Sequence, residues 1–300
     1  MLKMENTRIE NTKVQNRHAL AILFVILEAF GFAMMTFFVR LSGDVPTMQK
    51  AFFRNAVAAV IAGVTLVRSD EGFKIKKTSY KGIFMRCLFG TTGLIMNFWA
   101  IDHLAIADAN ILNKMSPFFA IVMSVFILKE IPNKFEWLMV VIAFIGVLFI
   151  VQPTAGLASL PALVGLMSGF GAGTAYTFVR KLGMMGERGP VIVFCFSMFS
   201  VLVTLPSLIF NFKPMSVQQW ECLVLAGASA ALGQFCITKA YSLAPAKEIS
   251  VFDYTQVIFA ALIGIMFLGE VPNVYSIIGY VIIIGASVVK WYYNVNVQKN

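Results

Sequence analysis

Apolar runs separated by short polar breaks succeed one another along almost the whole chain. Ten can be read, at 19–41, 48–67, 82–101, 109–128, 135–151, 160–179, 191–210, 220–241, 250–268 and 274–291. About 20 consecutive apolar residues cross a bilayer as a helix, whereas the strands of a membrane barrel alternate in shorter segments. The pattern therefore predicts an all-α membrane protein with ten transmembrane helices. A polar tail at 1–18 precedes the first run, and no small-residue cleavage pattern follows it. The first run is expected to stay as an anchor. Residues 292–300 form a second polar tail.

Composition says what surrounds these runs. Of the 300 residues, 59% are hydrophobic and 13% charged, with a mean hydropathy of +0.80; soluble domains carry about 25% charge. So much apolar surface needs lipid as its solvent, which excludes a disordered chain, a secreted disulfide scaffold and an ordinary soluble enzyme. The net charge of +9 is a topology signal. Seventeen basic residues fall in the tails and in alternate loops, among them Lys3, Arg17, Arg68, Lys77, Lys129, Arg188 and Lys247. The opposite loops hold only Arg40, Lys50 and Lys213. The positive-inside rule then puts both termini in the cytoplasm of a multi-pass plasma (inner) membrane protein, and no nucleic-acid partner is implied. Four scattered cysteines without a CxxC, and only two histidines, give no metal or cofactor site.

The chain repeats itself at an offset of 140 residues. Phe30-Gly31 matches Phe170-Gly171, Phe38-Val39-Arg40 matches Phe178-Val179-Arg180, and Phe119-Ala120 matches Phe259-Ala260. Leu128-x-Glu130-x-Pro132-Asn133 matches Leu268-x-Glu270-x-Pro272-Asn273. Apolar matches are cheap in this composition; two copies of E-x-P-N are not. The reading is two five-helix repeats, 19–152 and 160–291. Because five is odd, the second copy enters from the opposite face, and the halves are inverted. Inverted repeats characterise secondary transporters, whose halves exchange conformations around a central site.

One stretch joins Gly233-Gln234-Phe235, Ala240-Tyr241-Ser242-Leu243-Ala244-Pro245-Ala246, Tyr254 and Phe259-Ala260-Ala261-Leu262-Ile263-Gly264. It closes with Phe267-Leu268-Gly269-Glu270-Val271-Pro272. With Ala109-Asn110-Ile111-Leu112-Asn113-Lys114-Met115-Ser116-Pro117 in the first half, it resembles EamA-type members of the drug/metabolite transporter superfamily over about residues 19–291. The resemblance implies a secondary or facilitative carrier of small metabolites, amino-acid-like or otherwise polar or amphipathic, working by alternating access. Export is the expected direction, although neither direction nor substrate has a residue signal of its own.

Charges within the runs are the candidate chemistry, because each costs about 2.5–3.5 kcal/mol at mid-bilayer. Glu28, Arg54, Lys114 and Asp253 lie inside runs; Arg86 and Lys239 lie near run ends and are expected to snorkel to water. The 140-residue offset carries Asn113-Lys114 onto Asp253-Tyr254, and Asn110, Asn113, Lys114 and Pro117 share one helix face. Pro117 also leaves the Asn113 carbonyl without its helical donor. These residues line a polar cavity, in which Lys114 meets an anionic and Asp253 a cationic group, or they form ion pairs that fix packing. Glu28 and Asp253, far from any run end, are the candidate proton carriers should transport be proton-coupled. The amides Asn97 and Gln234 are balanced between substrate contact and interhelical hydrogen bonding. The aromatics Phe98, Trp99, Tyr176 and Tyr254 can stack on a ligand but more commonly pack a core. Gly165, Gly169, Gly171 and Gly173 suit close helix contact better than phosphate binding, since no GK[ST] follows. His103 and Asp108 form an H-x4-D pattern that an acyltransferase could use, in a loop expected outside. A membrane enzyme built on that pair, and a flippase for lipid-linked substrates, are the competing readings; the expectation is a non-enzyme.

Overall fold

A computed structural model of the protein describes residues 2–129, 133–151, 159–243 and 250–293. Glu130, Pro132, Lys247 and Ala244-Pro245-Ala246 lie outside the described residues, as do 152–158 and 294–300. Every regular element among the described residues is helical. The α-helices are α1 (Leu2–Leu41), α2 (Thr47–Val67), α3 (Tyr80–His103), α4 (Ile106–Asn113), α5 (Ser116–Ile127) and α6 (Lys134–Val151). They continue as α7 (Leu160–Met184), α8 (Gly189–Phe210), α9 (Val217–Leu243), α10 (Thr255–Ile263) and α11 (Val274–Tyr292). The polar tail is thus helical from Leu2 and continuous with the first apolar run.

Among the described residues, eight segments are long and apolar enough to cross a membrane, Ala19–Leu41 and Val274–Tyr292 being the first and last. The runs at 135–151 and 250–268 become α6 and a shorter apolar segment, Phe252–Leu268. The outward faces carry Phe126, Met184, Phe210 and Val281, each at least two-thirds exposed, while Glu28, Arg54, Asn110, Lys114 and Asp253 are buried. A chain exposing apolar groups and hiding charges is built for hydrocarbon. With the apolar runs, this makes it a multi-pass membrane protein.

Four helix pairs make the bundle: α1 on α9, α3 on α7, α2 on α8, and α6 on α11. Small residues set the closest approaches, since apolar packing in lipid rewards short backbone distances. A Cβ at Gly31 of α1 would come within 3.0 Å of the Ser229 carbonyl and 3.1 Å of the Gly233 nitrogen on α9. A Cβ at Gly171 of α7 would meet Gly93 Cα at 2.8 Å and the Phe89 carbonyl at 2.9 Å on α3. Gly165, Gly169 and Gly173 take the close-contact role as well. They open one side of α7 to Leu112, the Leu112 and Asn113 carbonyls, and the Ser116 carbonyl.

The helix ends show what the repeated motif does. Asn133 Oδ1 accepts from the Glu136 N–H at 2.8 Å while Glu136 Oε2 accepts from the Asn133 N–H at 2.8 Å, a reciprocal cap at the start of α6. Asn273 Oδ1 accepts from the Ser276 N–H at 2.7 Å and caps α11. The asparagine of each E-x-P-N is therefore a helix start. Four residues before each, at Lys129 (φ 59°) and Gly269 (φ 66°), the backbone turns left-handed and ends the preceding segment.

Candidate functional site

The site begins with a broken helix. Pro117 has no N–H for the Asn113 carbonyl, and its ring crowds that group. Accordingly α4 ends at Asn113 and α5 starts at Ser116, with Lys114 and Met115 in the turn. Asn110, Asn113 and Lys114 therefore do not continue one regular helix through Pro117. At the matching place in the other half, with no proline, a 3₁₀ turn over Ser250–Tyr254 leads into α10. Each break delivers a polar side chain to the middle of the bundle.

Lys114 Nζ lies 3.2 Å from Glu28 Oε1 and 3.5 Å from Asp253 Oδ1, with all three side chains at most 3% exposed. One ammonium thus serves two carboxylates. Glu28 Oε2 and Asp253 Oδ1 find no hydrogen-bond donor among the described residues. The 140-residue offset carries Glu28 onto Ser168 and Asp253 back onto Asn113, and that pair also meets. Asn113 Nδ2 donates to Ser168 Oγ at 3.0 Å. Lys114 and Tyr254, themselves 140 residues apart, touch directly: the Tyr254 hydroxyl donates to the Lys114 carbonyl at 2.8 Å. Asn110 ties the two breaks together, because its Oδ1 accepts from Gln256 Nε2 and, at 3.4 Å, from Thr36 Oγ1. Asn110 and Tyr254 are buried in packing rather than turned to open space.

Beside this cluster lies a compact cavity with about 60 Å³ of room for water, bordered by Arg54, Arg86, Asn97, Asn113, Tyr176 and Gln256, with Phe196 and Gln234 also in its wall. Arg54 and Arg86 are 1% and 3% exposed. Their guanidinium carbons stand over the same Phe196 ring, 5.9 and 4.2 Å from its centroid. Arg54 Nη1 donates to Asn55 Oδ1 at 2.5 Å, and Arg86 Nη2 donates to Gln234 Oε1 at 3.2 Å. The snorkelling expected of Arg86 is corrected here. Its side chain folds across the next turn of α3, where Gly90 leaves space; a Cβ there would stand 2.0 Å from Arg86 Nη1. An R-x3-G spacing within an apolar run was the legible signal. Lys239 does reach an exposed position.

Other candidates fall elsewhere. Trp99 is absent from the cavity wall and stacks on His103, 4.0 Å between centroids. His103 Nδ1 bonds the Trp99 carbonyl at 2.7 Å, and Asp108 accepts from the Tyr280 hydroxyl at 2.7 Å. Each half of the H-x4-D pattern thus has another partner. Phe98 is fully buried in the core. Gln256, Ser168 and Phe196 were invisible beforehand, because nothing in a single amide, hydroxyl or ring among 28 phenylalanines marks a cavity wall.

The two ends of the bundle differ. At one, Arg40 Nη2 pairs with Glu270 Oε1 at 2.8 Å, and Glu270 Oε2 accepts the Ile106 N–H at 2.8 Å. Arg40 also donates to the Ile101 carbonyl, and Lys50 pairs with Asp102 at 2.6 Å. At the other end, a far larger cavity of about 830 Å³ opens between Phe24, Arg180, Glu187 and Lys239.

Comparison with known proteins agrees with this architecture. The pseudopaline exporter CntI of Pseudomonas aeruginosa is 32% identical over 271 residues, covering 89% of this chain and 94% of that protein. The human solute carrier family 35 member G1 is 25% identical, covering 91% and 80%. A riboflavin transporter of Brucella anthropi is 26% identical, covering 81% and 87%. One crystal structure, 14% identical, superimposes with a TM-score of 0.66 over 91% of this chain and 96% of its own, which speaks to the fold alone. The relatives are transporters rather than enzymes. Residues 19–152 and 159–291 each match the EamA-like transporter family, to which this chain belongs.

Proposed function

We propose that this protein is a ten-span secondary carrier of small metabolites, made of two inverted five-helix halves, that exports its substrate across the plasma (inner) membrane by alternating access. Both termini lie in the cytoplasm in this reading. The observation that carries it is the polar centre. The helix breaks of the two halves meet there, Tyr254 on Lys114, beside a cavity lined from both halves.

The packing supports inversion. Under a 140-residue exchange, the pairing of α1 with α9 becomes that of α7 with α3, and the α2–α8 and α6–α11 pairs map onto themselves. The close approach of Gly31 to Gly233 becomes that of Gly171 to Gly93. Such exchange symmetry is what lets two halves swap roles. The ends support a carrier caught on one side of its cycle. The Arg40–Glu270 clasp, together with Lys50–Asp102, closes the end expected outside, while the 830 Å³ cavity lies at the end expected to face the cytoplasm. The name of the CntI relative supports export, and that of the riboflavin transporter supports a small organic substrate.

Glu28 and Asp253 are the proton carriers in this scheme. Two carboxylates against Lys114 leave one excess negative charge in a water-poor site; one bound proton brings the group to neutrality. Asn113, Asn97, Gln234 and Tyr176 would complete the substrate's surroundings.

Proteoliposomes filled with an isotope-labelled mixture of small metabolites test the reading. Time-dependent, saturable release of a defined subset, absent from protein-free vesicles, is the expected result, and it accelerates with an imposed pH gradient. No release of any solute overturns the carrier reading. Release indifferent to the gradient, in both wild type and Glu28→Gln, overturns the proton coupling.

A further inference from the structure

Two buried positive charges in the central cavity have no counter-charge paired with them among the described residues. Among the described residues, neither Arg54 nor Arg86 forms an ion pair with a carboxylate; Glu28 and Asp253 face Lys114. Each guanidinium makes one hydrogen bond, to a neutral amide, and the Nε of each has no acceptor. The Phe196 face they share gives some stabilisation. A cation–π contact offsets only part of what burying an unpaired ion costs. Two such groups on one ring, in one cavity, are the arrangement of a receptor waiting for anions.

The unused atoms describe the missing partner. Arg54 bonds Asn55 through Nη1, and its buried Nε finds no acceptor among the described residues, so the Nε–Nη2 edge keeps the two-pronged geometry that fits a carboxylate. Arg86 offers Nε beside the nitrogen that bonds Gln234. In the same wall, Asn97 Oδ1 and Gln256 Oε1 accept no hydrogen bond among the described residues, so they suit an N–H or O–H on the ligand. Phe196 and Phe32 provide apolar faces for a carbon skeleton.

We propose that the transported substrate is a short organic acid with two carboxylates, one held by Arg54 and one by Arg86, carrying amino or hydroxyl groups that reach Asn97 and Gln256. The proposal rests on the carrier reading above for the word substrate; the anion site stands on its own geometry.

Thermal melting of the purified full-length protein in detergent tests it, with succinate and glutamate as dianionic-acid probes. Succinamide and putrescine serve as the uncharged and cationic controls at equal ionic strength. Near saturation the acids raise the midpoint by about 5 °C, and the controls leave it unchanged. Arg54→Gln and Arg86→Gln abolish the rise. Arg54→Lys keeps the charge but not the fork, and weakens binding about tenfold. If the glutamine variants do not fold, the acid-against-diamide contrast in wild type and the Arg54→Lys titration decide. Equal shifts with acids and succinamide, or an acid shift that survives in a folded Arg54→Gln/Arg86→Gln protein, overturn the proposal. The vesicle experiment separates the two readings. Release confined to neutral or cationic solutes leaves a carrier and removes the dicarboxylate; an acid-specific shift without release keeps the site and removes the carrier.

Discussion

Two corners of this protein, 140 residues apart in sequence, share a geometry and differ in chemistry. At one, Asn113 from a helix break donates to Ser168 on α7. At the other, Asp253 from the matching break stands with Glu28 of α1, and Lys114 sits within 3.5 Å of both. The neutral corner is a satisfied interhelical hydrogen bond, of the kind worth about 1 kcal/mol. The charged corner holds three ionisable groups in a space where hydrocarbon surrounds the bundle. Duplication supplied the scaffold twice, and only one copy carries charge. A packing role is met by the neutral pair; the charge is what the second copy adds to it.

The comparison breaks most sharply at Lys114. Replacing it with methionine strands two buried carboxylates, and the protein loses about 3–5 kcal/mol of stability, read as a fall in the melting midpoint. Adding Glu28→Gln and Asp253→Asn to Lys114→Met removes the stranded charges and restores most of the loss. A single variant as stable as wild type would mean that the ammonium does not neutralise the carboxylates. The glycine approaches come next. Gly171→Val and Gly31→Val each cost about 1–3 kcal/mol by overpacking. Gly171 is the worse site, because its Cβ would meet Gly93 Cα at 2.8 Å, whereas the one at Gly31 stops 3.0 Å from a carbonyl. Melting curves of the two variants side by side give the order.

The neutral corner yields a smaller effect. Ser168→Ala costs about 1 kcal/mol, and any release from vesicles keeps its pH dependence. A pH response lost with Ser168 but kept in Glu28→Gln would reverse the roles assigned to the two corners. The last effect, of similar size, has the opposite sign. Lys129 holds the left-handed conformation that Gly269 holds in the other half. Lys129→Gly therefore gains about 1 kcal/mol by relieving the Cβ clash, and a lower melting midpoint would refute that.

Much of the scaffold was readable from residues alone. Burial in lipid demands long apolar runs, and the eight long apolar segments fall on eight of the ten runs. The repeated E-x-P-N announced matching features, and its asparagines prove to be helix caps. Pro117 marked an Asn113 carbonyl without its donor on a helix read as continuous, and the structure instead ends the helix there. The break before Thr255 had no such herald, since no proline follows at the corresponding distance. Arg86 was misjudged because distance from the end of a run says nothing about where a long side chain turns. Gly90 decides that, by letting the guanidinium lie inward over Phe196. Trp99 illustrates the opposite error: an aromatic close to charges in sequence packs on its own helix against His103.

The sequence by itself determined the solvent, the helices, the duplication and the short set of polar residues that hydrocarbon would not tolerate singly. Tertiary structure decided which of them neutralise one another. Pairing depends on side chains from distant helices arriving within a few ångströms, and a one-dimensional pattern holds no such distances. That is why Lys114, expected to await a ligand's charge, is occupied by Glu28 and Asp253, while Arg54 and Arg86 have no carboxylate partner among the described residues.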